Sequence, residues 1–156
     1  MNDIVPVIAA ATALCAVLLG PLVSLWAANK QARIALRANN RQAWINTLRE
    51  VISEFSSTAR VVSLSKEFSD RFSRAEKLFF LEEKMKLLVN PKEDDHRALI
   101  VEFEKARVAA IRMFSADNDK EKKDVAHEEL KSALRNITDT SQTILKREWE
   151  RVKAAE

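Results

Sequence analysis

Glycine is almost missing from this chain, with one residue in 156. Phosphate-cradling loops and dinucleotide fingerprints need several glycines, because the backbone there must approach the phosphates closely and adopt positive φ. Both are excluded. A single cysteine rules out an intramolecular disulfide framework and any cysteine-based zinc site. Tyrosine is absent and only three prolines occur. β-Structure needs turns, and with glycine so scarce the expected class is all-α. Basic residues outnumber acidic ones by 26 to 23, for a net charge of +3. The length suits about one domain.

What is present begins with a long charge-free run, Ile4 to Ala28. At about 1.5 Å rise per residue it reaches roughly 37 Å, enough to cross a hydrocarbon core of about 30 Å with some tilt. A signal peptide carries a basic leader and an apolar stretch of about 7–15 residues, whereas here the leader contains Asp3 and the run is far longer. It is also too long for a buried core helix. The expectation is a transmembrane segment over residues 1–28, followed by a cytosolic domain over 29–156. Lys30, Arg33, Arg37 and Arg41 follow the run, with Arg49 further on and only Glu50 opposing them. Basic flanks stay on the cytoplasmic side, so the N-terminus is expected outside and the protein to be single-pass in a bacterial inner membrane. The same four basic residues are candidates for contact with anionic lipid, and Trp26 suits the headgroup level.

Within the span, Ala9, Ala13, Ala16, Gly20 and Ala27 share one helical face. Small faces let helices approach closely in lipid, which favours a homo-oligomer, although alanine is also simply common in spans. Pro6 and Gly20-Pro21 are candidate bends, and Cys15 reads as a small apolar filler.

Four helical patterns follow, judged by period. The first, about Lys30 to Leu64, carries Trp44, Leu48, Val51, Phe55 and Val62 and is a candidate continuation of the span. The second, about Lys66 to Val89, repeats Phe68, Phe72, Ala75, Leu78, Leu81, Met85 and Leu88. The third, Pro91 to about Ser115, carries Leu99, Phe103, Ala106, Ala110 and Met113. The last, about Lys120 to Ala154, carries Leu130, Leu134, Ile137, Ser141, Ile144 and Trp149. Asn90 is expected as an N-cap, Pro91 as the first helical residue and Glu93 as the capping-box partner. Residues 115–124 read as the best loop. A four-helix cytosolic bundle buries these stripes, and the two longest helices are long enough to extend as coiled-coil arms between chains.

Asn40-Arg41-Gln42-Ala43-Trp44-Ile45-Asn46-Thr47-Leu48-Arg49, continued by Ile52-Ser53-Glu54-Phe55, and Lys86-Leu87-Leu88-Val89-Asn90-Pro91-Lys92-Glu93-Asp94-Asp95-His96 form two landmarks. They resemble a broad group of small bacterial inner-membrane proteins with an N-terminal span, an RQxWIxxLR helix and an LxNPxEDDH helix junction. The resemblance covers roughly residues 4–100 and implies an architecture, with no activity attached. In plan alone, without a residue motif, the chain is similar to CRISPR-associated membrane effectors that join a short membrane region to a helical domain responsive to cyclic oligoadenylate.

Few constellations carry chemistry. Glu93 with Asp94-Asp95-His96 invites a metal reading, but neighbours on a helix diverge and the Glu93–His96 pair alone offers too few ligands, so capping is the plainer account and no metal is expected. His127 reads as a surface histidine, and Lys120, Lys122 and Lys123 as a solvated loop or helix start. Arg107 lies on the apolar stripe between Phe103 and Ala110. It is either snorkelling at the stripe's edge, pairing between subunits, or binding an anion through its planar fork. No stacking surface for nucleic acid is visible, so no duplex partner is expected. No nucleophile–base pair is defensible, so neither enzyme activity nor a cofactor is expected. The resulting expectation is an oligomeric membrane sensor or effector that binds an anionic small molecule, an anionic nucleotide in antiviral defence being one version. The rival is a constitutive adaptor that docks a protein at the membrane.

Overall fold

The computed structural model describes residues 4–64, 68–116 and 119–154, with only the backbone described at positions 5, 6, 10, 11, 15, 16, 18, 63, 64, 68 and 114. The expectations placed on Lys66 and on the side chains of Pro6, Cys15, Ala16 and Phe68 therefore lie outside the described residues. The described residues form an all-α structure: α1 (Ile4–Leu64), α2 (Phe68–Leu88), α3 (Asp94–Ser115) and α4 (Lys120–Lys153).

The apolar run and the first amphipathic pattern are one helix. α1 has 61 residues and is about 90 Å long. Its joint, around Ala28 to Ala38, is rich in Ala with Arg, Lys, Leu and Gln between, all of which favour helix, and nothing there interrupts the ladder. Pro21 sits inside the helix. Its missing N–H leaves the Val17 carbonyl without the usual donor.

The two ends of this rod live in different surroundings. From Ile45 onward Leu48, Val51, Phe55, Ala59 and Val62 are buried against Leu78, Leu81 and Met85 of α2, Leu99, Phe103, Ala106 and Ala110 of α3, and Leu130, Leu134, Ile137 and Ile144 of α4. Phe55 and Phe103 meet at the centre with ring centroids 4.2 Å apart. Before that, Val7, Ile8, Leu14, Val17, Leu19, Leu22, Val23 and Leu25 are all exposed, around nearly every side of the helix. A core helix hides its apolar face within its own fold, whereas none of these described apolar side chains is hidden. It is the one described helix long and apolar enough to cross a membrane.

Some expected details shift. Pro91 lies in a turn, not in the first helical position, and α3 starts at Asp94 with Glu93 at its N-cap and no side-chain cap bond. Asn90 Oδ1 instead accepts from Lys92 N at 3.1 Å, closing a local turn of the kind Asn favours. The polar loop contracts because Asp119 caps α4, accepting from Lys122 N at 3.2 Å. On α4 the stripe continues through Glu148, which is buried, while Trp149 stays 40% exposed. On α2, Phe72 points to solvent.

Candidate functional site

Arg37 and Arg41 are four residues apart on α1 and so share a face. Trp44 lies one turn beyond Arg41. Its Nε1 donates to the Leu88 carbonyl at 2.7 Å, satisfying one of the carbonyls that the end of α2 leaves open. The turn that follows presents the Asn90 backbone N–H to His96 Nδ1 at 2.9 Å. Since Nδ1 accepts, the neutral ring carries its proton on Nε2. His96 is buried, with Trp44 beside it at 6.2 Å between ring centroids.

Arg147 of α4 ties this corner together. Its Nη1 donates to Asp95 Oδ2 and its Nη2 to Glu93 Oε2, each at 2.7 Å. Burial pulls the Arg147 pKa down, but the hydrogen bond to Asp95 and the charges of Asp95, Glu93 and Glu148 together leave it raised. The ligand atoms of Glu93, Asp95 and His96 lie within 4.8 Å of one another. Asp95 joins the pair read from sequence because Glu93 sits at the N-cap, outside the helical turn. The trio has the spacing of a cation site, and the chain's own guanidinium fills it. His96 Nε2 itself lies 3.4 Å from Arg147 Nη2. The chemistry of this cluster is that of an ion-pair hub joining the α2–α3 turn, the start of α3 and the end of α4.

A cavity of about 700 Å³ opens beside the hub. α1 contributes Arg37, Ala38, Asn40, Arg41 and Trp44; the α2–α3 junction contributes Leu88, Asn90, Glu93 and His96; α4 contributes Glu148, Arg151 and Val152. The Glu148 side chain is only 9% exposed. Its carboxylate is held by Arg41 Nε at 3.3 Å and Arg151 Nη1 at 2.5 Å, with Arg147 Nε at 3.5 Å. Arg37 has no ion-pair partner among the described residues. Burying a carboxylate is costly unless opposite charges and hydrogen bonds compensate it; the guanidiniums around Glu148 do so, which accounts for α4 turning Glu148 inward and Trp149 outward.

Arg107 lies elsewhere, between α2 and α3. Its Nε meets Glu82 Oε2 at 2.5 Å, and its guanidinium lies 4.3 Å from the centroid of the Phe79 ring. Lys86 Nζ holds the other Glu82 oxygen at 2.8 Å. Burial raises the Glu82 pKa, but Lys86 and Arg107 outweigh it and hold the carboxyl below its ordinary value. The anion on Arg107 is thus a carboxylate of its own chain.

The four basic residues that follow the apolar run divide. Arg37 and Arg41 line the cavity, while Lys30 packs over Trp26 at 5.4 Å and Arg33 is exposed on the same rod. His127 is exposed, and Lys122 is held by Asp119 at 2.9 Å. Sequence reading missed Glu82, Arg147, Glu148 and Arg151. Glu148 had a signal, because it follows Ile144 by four residues and Ser141 by seven, the stripe's own spacing. The Glu82 and Arg147 partners are 25 and 54 residues away, beyond any local pattern. No protein-family model, curated protein or solved structure matches the chain.

Proposed function

We propose that this is a membrane-anchored, non-enzymatic sensor or effector whose helical domain binds an anionic small molecule in the arginine-lined cavity and acts through its span. One observation carries the reading: Arg37 and Arg41 on the cavity wall and the charge-free segment 4–28 belong to one uninterrupted helix. A ligand that prefers one placement of α1 over another shifts the whole rod. In this reading residues 1–28 span a bacterial inner membrane once with the N-terminus outside, and residues 29–156 form a cytosolic four-helix bundle. Copies associate through the small-residue face of the span. Most of residues 29–40 of α1 are exposed, Leu36 among them, and are the stretch left for a coiled-coil contact, since α4 already buries its apolar face from Ala126 to Val152 within the chain. Lys30 and Arg33 meet anionic lipid.

The test is membrane polarisation in cells that produce the full chain. With candidate anions supplied, cyclic oligoadenylates among them, the wild type depolarises cells and Arg41→Gln does not. Equal polarisation for producing and non-producing cells under every anion refutes the reading.

A second reading has its own support. Phe72, Phe80 and Leu87 on α2 are 64%, 64% and 88% exposed, an apolar strip that suits an adaptor docking a protein at the membrane. An adaptor is harmless when overproduced, and its role is lost with Phe80→Ser and kept with Arg41→Gln.

A further inference from the structure

We infer that the cavity beside Glu148 is a site for a water-soluble organic phosphomonoester, which shares Arg41 and Arg151 with the Glu148 carboxylate and adds Arg37. The inference rests on the proposal that this cavity is the ligand site, and it names the ligand's chemistry. Three guanidiniums line the cavity, from Arg37, Arg41 and Arg151. Of the two carboxylates there, Glu93 is engaged by Arg147 at 2.7 Å. Arg147 also engages Asp95 at 2.7 Å, so the guanidiniums of Arg37, Arg41, Arg147 and Arg151 stand against the carboxylates of Glu93, Asp95 and Glu148, a surplus of one positive charge. A phosphomonoester carries about −1.5 to −2 at neutral pH, and its oxygens match the planar guanidinium fork.

Glu148 behaves as a resident anion. Arg41 and Arg151 each give it one nitrogen, at 3.3 and 2.5 Å, and their side chains remain 40% and 48% exposed. Guanidinium carries five N–H donors, so both retain capacity for a second anion while Glu148, 9% exposed, marks the inner wall. At about 700 Å³ the cavity is far larger than a phosphate group, and Trp44, Leu88 and Val152 give it an apolar wall. The ligand therefore has an organic part as well as a charged one. A soluble source is favoured over a lipid headgroup by distance. Arg37 and Arg41 follow Ala28 by nine and thirteen residues, about 13 and 19 Å along the helix, whereas the headgroup layer is only about 5–8 Å deep.

The experiment is calorimetric titration of the full chain in detergent micelles with phenyl phosphate, with phenyl sulfate as the monoanionic control. A parallel arm measures sedimentation of the protein reconstituted in nanodiscs with vesicles containing phosphatidic acid. Phenyl phosphate is expected to bind saturably and at least tenfold more tightly than phenyl sulfate. Arg37→Gln weakens it at least fivefold. Glu148→Gln, which removes the competing carboxylate, strengthens it at least fivefold. Arg37 makes no ion pair among the described residues, so its variant reports binding even if Glu148→Gln fails to fold. No saturable phenyl phosphate binding to the wild type overturns the inference, as does binding that Arg37→Gln leaves unchanged. Capture by phosphatidic acid vesicles without phenyl phosphate binding overturns the soluble source. Binding without depolarisation in cells refutes the proposed function and leaves the site standing, whereas depolarisation without phosphate binding does the reverse.

Discussion

Replacing Arg107 by methionine separates a structural arginine from a ligand-binding one. The side chains of Arg107 and Glu82 are 14% and 4% exposed, so Arg107→Met leaves a buried carboxylate short of a partner. Breaking such a pair costs about 3–5 kcal/mol. Here Lys86 stays 2.8 Å from the other Glu82 oxygen, and methionine keeps much of the contact with Phe79. The expected loss is therefore smaller, about 2–3 kcal/mol. At roughly 2–4 °C per kcal/mol for a chain of this size, the melting midpoint falls by about 4–12 °C. The assay is thermal unfolding of the full chain in micelles by far-UV circular dichroism. Adding Glu82→Leu to Arg107→Met recovers about 1 kcal/mol or more, because the stranded charge is gone. A loss within about 0.5 kcal/mol, the range of ordinary surface substitutions, refutes the reasoning. A loss of anion response with stability intact would return Arg107 to the list of ligand contacts.

Acid titration tests the same pair from the other side. Because the folded pKa of Glu82 is lowered, its contribution is complete above the ordinary carboxylate value and is lost as pH falls through the lowered one. Stability should thus drop on acidification below about pH 4.5, with a smaller drop in Glu82→Gln, measured by urea unfolding across pH. Phe103→Ala removes the partner of Phe55 at the centre of the core, where Phe103 is 0% exposed, and should cost about 3–5 kcal/mol in the same unfolding assay. A Cβ at Gly20 meets nothing within 4 Å among the described residues, so Gly20→Leu has open space around its point of attachment. It should leave the melting midpoint unchanged while lowering the oligomer mass of the detergent-extracted protein, since a bulky side chain on the small-residue face blocks close helix approach. An unchanged mass counts against association through that face.

The core was legible because burial repeats at three and four residues. Leu48, Val51 and Phe55, and likewise Leu99, Phe103 and Ala106, are all buried. The pattern failed where a large apolar residue broke the spacing. Trp149 is five residues past Ile144, and position 148 won because its carboxylate has arginines on α1 and α4 to meet. Phe72 and Phe80 were equally opaque, since their outward direction depends on which side of α2 meets the core. The third helix was legible, but it starts at Asp94 and not at Pro91, because Asn90 and Pro91 suit a turn as well as a cap. Arg107 stood out in sequence for lying on an apolar stripe, but Glu82, the residue that explains it, is on another helix.

In the proposed reading segment 4–28 crosses the bilayer and holds the helical domain inside. Protease digestion of intact spheroplasts producing the chain with a C-terminal epitope tests it most directly. The epitope is expected to stay in the membrane pellet and to resist protease until detergent opens the cells. Recovery of the epitope in the soluble fraction, or its digestion while the spheroplasts remain sealed, would contradict that reading.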